Sequence, residues 1–452
     1  MKFVDEYDIK DFLGGQAFEC ACGREHRAQV DYLSIKRGAI YDLPDALNAL
    51  GVKKPFIVYD KNTFEAAGRQ VCEVLDRAGI PYTGFLLKEH GYSKCEPDEY
   101  SMGSVAMGFD VKCDCVIAVG GGVINDTCKE LALVSGRPQI IIGTAPSMDG
   151  FASNSSSMVV DNVKTTLYNA TPRGIILDTE IMSKAPMRML WAGFGDMIAK
   201  YISVCEWRIS NIVTGEYYCP HVAAVMRRAL KRIMDAADGL AKRDPDAVGA
   251  VAEGLVLSGI AMSFAKVSRP ASGLEHYFSH MWDMLCLERG RESDLHGIQV
   301  GVGTVLTLRL YEFIKALTPS REKAEAAIKA FDPAAWEKDI IRVFGKTAPE
   351  VLKIEQAAGK NDPVKRMKRV ENIIARWDDI QAVIKEELPS LPYLLDIMKR
   401  MGMPTAPGEI GFTREDTLTA YMHARDIRDK YLSVSFLWDI GELEEGAKHI
   451  FE

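Results

Sequence analysis

CVIAVGGGVINDTCKELALV, residues Cys115–Val134, is the stretch on which the fold turns. An apolar strand, Cys115–Val119, runs into Gly120, Gly121 and Gly122, and a helix is expected from about Asn125. Glycines at such a connection let the backbone approach a ligand closely, and the exposed N–H groups of a helix start favour the negative charge of a pyrophosphate. The run is not the G-x-G-x-x-G of the ordinary dinucleotide fold. A tight strand-to-helix turn needs the same glycines, so both readings stand at this point.

Outward from this stretch, strand and helix alternate. Upstream, QVDYLSIKRGAI reads as a strand and DLPDALNAL as a short helix with Asp42 placed to cap it. PFIVYD (Pro55–Asp60) is a buried strand, Asn62 to about Ala78 a helix, and TGFLLK the next strand. Downstream, QIIIGTAPSMDGFAS (Gln139–Ser153) leaves the sheet at Thr144, SSMVVDNVKTTLYN forms a hairpin, and GIILD ends at Asp178. This alternation calls for a mainly parallel sheet. From about Pro186 the periodicity is helical to the end, as in AAVMRRALKRIMDAADGLAK and GVGTVLTLRLYEFIKAL. The expected architecture is an α/β nucleotide-binding domain over 1–185, a boundary in SKAPMRM, and an all-α domain over 186–452. The charged region 320–385 reads as a peripheral helical elaboration.

Composition narrows the classes. The chain has 452 residues, 47% of them apolar, and a net charge of −8, which suits two globular domains and argues against a nucleic-acid surface. Lys365, Arg366, Lys368 and Arg369 are followed by Glu371, Asp378 and Asp379, a solvated helix face. The start, MKFVDEYDIKDF, carries acids where a signal peptide needs a basic then apolar stretch, and no apolar run approaches membrane-spanning length. A cytoplasmic protein without membrane insertion is expected. Ten scattered cysteines suit reduced thiols. Cys20-x-Cys22-x3-His26 and Cys113-x-Cys115 invite a zinc reading. Neither has the two-residue gap of ordinary zinc knuckles or a visible fourth ligand, so packed thiols are preferred.

The chemistry-bearing positions fall in two groups. Asp60, at a strand's carboxyl end, is placed to accept hydrogen bonds from adenosine ribose hydroxyls and to repel a 2′-phosphate; a helix N-cap is the competing reading. Thr144 and Ser147 are small hydroxyl residues suited to a nicotinamide carboxamide or ribose, and Asp149 would face the substrate; turn chemistry explains the same residues. Lys164 is an anion or nicotinamide contact, or equally a solvent-facing strand residue. In SRPASGLEHYFSHMWDMLCLERGRESDLHG (268–297), His276 and His280 lie four apart on one helix face. His296 begins a second helix, and Asp196 in WAGFGDMIAKY is the best anionic partner. Asp plus two His with an open position is a catalytic metal pattern, although a lone core histidine is the commoner fate of such residues.

The segments GGGVINDT, GTAPSMDGFAS, GFGDMIAKY, SRPASGLEHYFSH and LHGIQVGVGT occur in this order between about Lys54 and Leu308, with a weaker match in PTAPGEIGF and RDIRDKY. Together they resemble the sn-glycerol-1-phosphate dehydrogenase family, a branch of the iron-containing alcohol dehydrogenase and dehydroquinate synthase superfamily. The resemblance implies the dehydroquinate synthase-like fold and reduction of dihydroxyacetone phosphate to sn-glycerol 1-phosphate, a phospholipid precursor, by hydride transfer to a metal-polarised carbonyl. It makes Asp196, His276 and His296 the ligands of one divalent metal. Gly120, Gly121, Gly122, Asn125, Asp126, Thr144, Ser147 and Asp60 become cofactor contacts, with NAD(H) preferred over NADP(H). Asp149 binds substrate, and it or His280 relays the proton.

A phosphorylated triose needs a cation or a helix start, and Arg269 is preferred because a guanidinium matches phosphate bidentately, with Lys200 as the competitor. Lys200 follows Asp196 by one helical turn, where iron-dependent relatives carry a fourth ligand histidine, which favours zinc or nickel. A homo-oligomer such as a dimer is expected. The rivals are a dehydroquinate synthase-like sugar-phosphate cyclase, whose branch places Glu at the position of Asp196 and lacks SRPASG, and a dehydrogenase for unphosphorylated polyols such as glycerol.

Overall fold

Strands covered on both faces need unbroken apolar sequence, and the central ones have it. The computed structural model describes residues 8–90, 95–161 and 163–451, with backbone alone at 163 and 164. A small antiparallel hairpin, β1 (Ala17–Glu19) and β2 (Glu25–Arg27), precedes β3 (Tyr32–Lys36), α1 (Leu43–Ala49) and β4 (Pro55–Tyr59). Next come α2 (Lys61–Thr63), which passes through a π-helical turn into α3 (Arg69–Ala78), β5 (Thr83–Leu86), α4 (Glu99–Gly108), β6 (Cys115–Gly120), α5 (Gly122–Ser135) and β7 (Gln139–Gly143). The hairpin β8 (Ser155–Val160) and β9 (Val163–Tyr168) leads to β10 (Gly174–Asp178) and α6 (Thr179–Ser183).

Six of these strands form one parallel sheet in the order β3-β10-β7-β6-β4-β5. Alternate residues face opposite ways. Ile57, Ile117, Val119, Ile140, Ile142 and Ile176 pack with Leu43, Leu47, Val71 and Leu75 of α1 and α3. Phe56, Val58, Val116, Ala118, Ile141 and Leu177 join a second core that continues into the helices beyond Met187. The order reverses between β4 and β6, because β5 lies on one side and all later strands on the other. Ligands of open parallel sheets bind at the carboxyl ends of strands flanking such a reversal.

The helical part begins with α7 (Met187–Ile198), α8 (Lys200–Thr214), α9 (Pro220–Ala241), α10 (Pro245–Ala265), α11 (Leu274–Glu288) and α12 (His296–Ala316), and shorter helices follow from Arg321 to His449. The expected α/β part followed by a helix-rich part is what the chain forms. Three local expectations change. The helix after the glycine run starts at Gly122 rather than near Asn125, because Gly121 itself takes the extended N-cap conformation. Asp42 precedes α1 but makes no cap bond; its carboxylate accepts from Ser34 Oγ at 2.7 Å and pairs with Lys36 Nζ at 2.6 Å. An apolar run of spanning length does exist: α10 has 21 residues and a mean hydropathy of 1.7 over its most apolar window. Of that window 78% is buried inside the protein, where it serves as a core helix.

Candidate active site

The two strand ends at the sheet reversal carry Asp60 and the glycine run. Asp60 caps α2: Oδ1 accepts from Thr63 N at 2.8 Å, and Asp60 N donates back to Thr63 Oγ1 at 2.9 Å. The cap reading of Asp60 is therefore real, and it holds the carboxylate at the carboxyl end of β4, one strand from Gly120. A side chain at Gly120 would lie 2.9 Å from Ile124 and 3.3 Å from Thr63, whereas Gly121 and Gly122 face Ser147 and Met148 at 3.6 and 3.7 Å. The loop after β7 thus passes directly over the N-terminus of α5. Thr144, which opens that loop, is buried, with its N–H on Gly120 O.

Asn125 and Asp126 tie α5 to the segments beside it. Buried Asn125 donates to Gly150 O at 3.2 Å and accepts from Gln139 Nε2 at 3.1 Å. Asp126 accepts from Ser157 N at 3.1 Å. Lys129, fully buried, donates to Gly150 O at 2.7 Å, Ser153 Oγ at 2.9 Å and Ser155 O at 2.8 Å, which ties the loop to α5.

The loop that faces the glycines at Ser147 reaches the second constellation at Asp149. Two residues span at most about 7 Å, so the glycine turn and this constellation adjoin. Asp149 N donates to Asp196 Oδ2 at 2.9 Å. Asp196, His276 and His296 each offer a ligand atom within 4.8 Å of the others. Asp196 Oδ1 and His276 Nε2 are 3.5 Å apart. A tetrahedral ion with oxygen and nitrogen ligands at about 2.0–2.2 Å needs edges of roughly 3.4 Å, so the donor set fits a divalent cation.

Glycines make this convergence possible. Asp196 lies on α7 and His296 opens α12, and the two backbones touch. A Cβ at Gly195 would fall 2.1 Å from Gly297 O, and one at Gly297 would fall 1.9 Å from Ala192 O. Gly193 meets Pro146 O in the same way, at 1.7 Å, which seats the cofactor-side loop on α7. The motifs GFGD and HG thus place glycines beside both ligands.

The partners behind the histidines select their ligating form. His276 Nδ1 is 2.8 Å from Glu275 Oε1, an acceptor, which leaves Nε2 for a metal. His296 Nδ1 is 3.0 Å from Ser279 Oγ, whose own proton goes to Gln299 Oε1 at 2.8 Å. Burial, then the charge of Lys200 and the neighbouring His296, push His276 well below the usual histidine range, so its imidazole is neutral, the form that binds metals. Burial and the nearby Glu206 push Glu275 up to about 8. His280 is the third ring of the group, its centroid 6.5 Å from His276 and 6.0 Å from His296.

Lys200 is fully buried among carboxylates. Its Nζ donates to Asp149 Oδ2 at 2.8 Å, Asp196 Oδ1 at 2.9 Å and Ala271 O at 3.1 Å. Burial alone would strip its proton, but the two carboxylates outweigh that and hold the ammonium charged above the ordinary lysine range. Ser258 Oγ also donates to Asp149 Oδ2, at 2.8 Å.

Arg269 is not free for a phosphate, which corrects the expectation for it. Its Nε donates to Glu216 Oε1 at 2.7 Å and a terminal nitrogen to Glu216 Oε2 at 2.5 Å; the rest serve Tyr431 O and Ser210 Oγ. The fork is used inside the protein by an acid 53 residues upstream. Lys164 stands opposite Val159 in the β8–β9 hairpin, and its side chain lies outside the described residues. Residues that sequence reading missed include Lys129, Ser258, Glu275, Gln299 and Lys430. Lys430 is half-buried, and its Nζ reaches Ser272 O at 3.1 Å, beside the start of α11. Only the segment RDIRDKY hinted at it.

Residues 34–186 match the family model described as iron-containing alcohol dehydrogenase. A glycerol-1-phosphate dehydrogenase (NAD(P)+) of Halalkalibacterium halodurans is 37% identical over 297 residues, 66% of this chain and 74% of the relative. One from Bacillus licheniformis is 28% identical over 439 residues, 96% and 94% of the two chains. Among solved structures, glycerol dehydrogenase from Schizosaccharomyces pombe superposes with a TM-score of 0.59 at 15% identity, covering 94% of this chain and 93% of that one, and so shares the fold. By these similarities the chain belongs to the glycerol-1-phosphate dehydrogenase family.

Proposed function

We propose that this protein is an NAD(P)-dependent oxidoreductase that reduces dihydroxyacetone phosphate to sn-glycerol 1-phosphate, with its catalytic cation on Asp196, His276 and His296. The observation that carries this reading is the convergence of those three side chains two residues along one loop from the glycine turn. The α/β part up to residue 185 supplies the cofactor wall and the helices from 186 the metal wall. When bound, the cation supplies Lewis-acid polarisation of the carbonyl and the nicotinamide supplies hydride.

The chain's own groups do the rest. The N–H groups opening α5 at Gly121 and Gly122 hold the pyrophosphate, and Thr144 and Ser147 orient the nicotinamide half. Asp60 takes the adenosine ribose, and its charge favours NAD(H) over NADP(H). Lys200 keeps Asp149 and Asp196 from repelling one another, and a lysine at the sequence position where iron-dependent relatives carry a histidine would suit a three-ligand zinc or nickel site. Asp149 and Ser258 orient the substrate hydroxyl, and His280 delivers the proton that completes the product alcohol. With Arg269 engaged by Glu216, the phosphate falls to Lys430 and Arg428, a pair of cations beside the start of α11. We also infer a cytoplasmic homodimer from the family resemblance, which light scattering of the purified chain tests for assembly.

A substrate panel tests the reaction. Purified protein should oxidise NADH or NADPH on addition of dihydroxyacetone phosphate, and far less with dihydroxyacetone. Equal rates for both would make it a polyol dehydrogenase. Turnover of a sugar phosphate without net cofactor consumption would make it a cyclase. An unchanged kcat and pH profile in His280→Ala would remove that residue as proton donor.

A further inference from the structure

A second group of metal-binding side chains stands apart from the active site. Cys20 follows β1, Cys22 lies in the turn, His26 is on β2, and Cys219 is the N-cap residue of α9. The first three are adjacent in sequence, whereas Cys219 is 193 residues beyond His26. Their sulfur and ring nitrogen atoms all lie within 4.8 Å of one another.

The separations have the dimensions of a coordination tetrahedron. With metal–sulfur bonds of about 2.3 Å and a metal–nitrogen bond of about 2.0–2.1 Å, S···S edges come to roughly 3.8 Å and S···N edges to roughly 3.5 Å. Cys20 Sγ and Cys219 Sγ are 3.7 Å apart; Cys22 Sγ and Cys219 Sγ lie 3.4 and 3.5 Å from His26 Nε2. His26 is fully buried, and its Nδ1 is 3.0 Å from the Phe264 carbonyl oxygen. That bond puts the proton on Nδ1 and turns the Nε2 lone pair toward the sulfurs, the usual arrangement behind a ligating histidine.

We propose that Cys20, Cys22, His26 and Cys219 form a closed structural site for a thiophilic divalent cation of the zinc type. Three thiolates and one imidazole leave no open position for substrate, which separates this site from the catalytic one. The bound unit would carry one net negative charge, and Arg24 is beside it, stacked 3.4 Å over the ring of Tyr217, whose hydroxyl is 3.3 Å from Cys22 Sγ. The physical use is plain. Strands of three residues each make a hairpin that is marginal alone, and the cation fastens it to α9 and, through His26 and Phe264, to α10. This inference does not depend on the dehydrogenase reading.

The test is metal content of the full-length protein, purified under reducing conditions without chelator. Wild type should hold two divalent ions per chain. Asp196→Ala should lose one and keep the other, and Cys219→Ser and Cys22→Ser should each lose the complementary one. Cobalt substitution should give intense thiolate-to-cobalt charge transfer and tetrahedral ligand-field bands in wild type and in Asp196→Ala. If Cys219→Ser fails to fold, mercurial titration of wild type decides: release of one ion for three modified thiols supports the site. An Asp196→Ala protein with no ion and no charge-transfer band overturns the proposal. So does an intact mass short by two hydrogens, the sign of a Cys20–Cys219 disulfide.

Discussion

Replacing Gly297 with alanine should damage cation binding without touching any ligand. The new Cβ would lie 1.9 Å from Ala192 O and 2.5 Å from Ala192 C. Both are backbone atoms, so no side chain can swing away. Reaching even 3.0 Å requires α7 and α12 to separate by about 1.1 Å. His296 adjoins Gly297 on one helix, and Asp196 follows Ala192 by one turn on the other, so the separation falls on two ligands. Metal sites tolerate departures of about 0.2 Å, and disturbing the atoms that aim ligands costs about 10–100-fold in affinity, or about 1.4–2.8 kcal/mol. Overpacking should lower stability by a further 1–3 kcal/mol or so.

Chelator competition measures the affinity, and thermal unfolding with and without cation measures the linkage. Gly103→Ala is the control. Gly103 lies within α4 with nothing within 4 Å of its added carbon, so the change should be neutral or stabilise the helix by about 1 kcal/mol. A Gly297→Ala protein that binds the cation with wild-type affinity would refute the claim that backbone contact between α7 and α12 sets the ligand geometry.

Three further outcomes are expected. Lys200→Met leaves Asp149 and Asp196 without their shared cation; the cation-free protein should lose about 3–5 kcal/mol, partly recovered on adding divalent metal, and equal losses in both states would contradict this role. Asp60→Ser keeps a capping oxygen but removes the charge, so KM for NADPH should fall roughly tenfold while stability stays within about 0.5 kcal/mol of wild type; an unchanged NADPH-to-NADH ratio would place the ribose elsewhere. Burial, then Arg269 and Arg428, push Lys430 down to about 7. Its charge should therefore fade as pH rises through that value, raising KM for dihydroxyacetone phosphate in wild type but not in Lys430→Met. The unfolded chain holds this proton up to the ordinary lysine value of 10.5, so the same group's contribution to stability is full above 10.5 and lost as pH falls toward 7. A urea series across pH on both proteins checks that sign.

Much of the site was legible along the chain, and its failures have one cause. The strand, glycine run and helix around Gly120 follow from local pattern, and only the helix start moved, by three residues, because glycine rather than a polar residue took the N-cap. Asp196, His276 and His296 were singled out through their motifs, yet neither the spacing of His276 from His296 nor the position of Asp196 showed that they meet. Arg269 was assigned to a phosphate because nothing near it in sequence announces Glu216. Cys20, Cys22 and His26 were set aside for want of a fourth candidate ligand, because Cys219, which the fold brings beside them at the start of α9, is remote in sequence.

By itself the sequence determined the alternation of strand and helix, the change to helical periodicity after Pro186, and the residue types able to bind phosphate and metal. These are properties of neighbours along the chain, set by side-chain period and turn chemistry. Tertiary structure decided which of those groups meet and what each charge is paired with. A buried cation or carboxylate takes the nearest partner in space, and close approach of α7 to α12, permitted by Gly195 and Gly297, made Asp196, His276 and His296 neighbours.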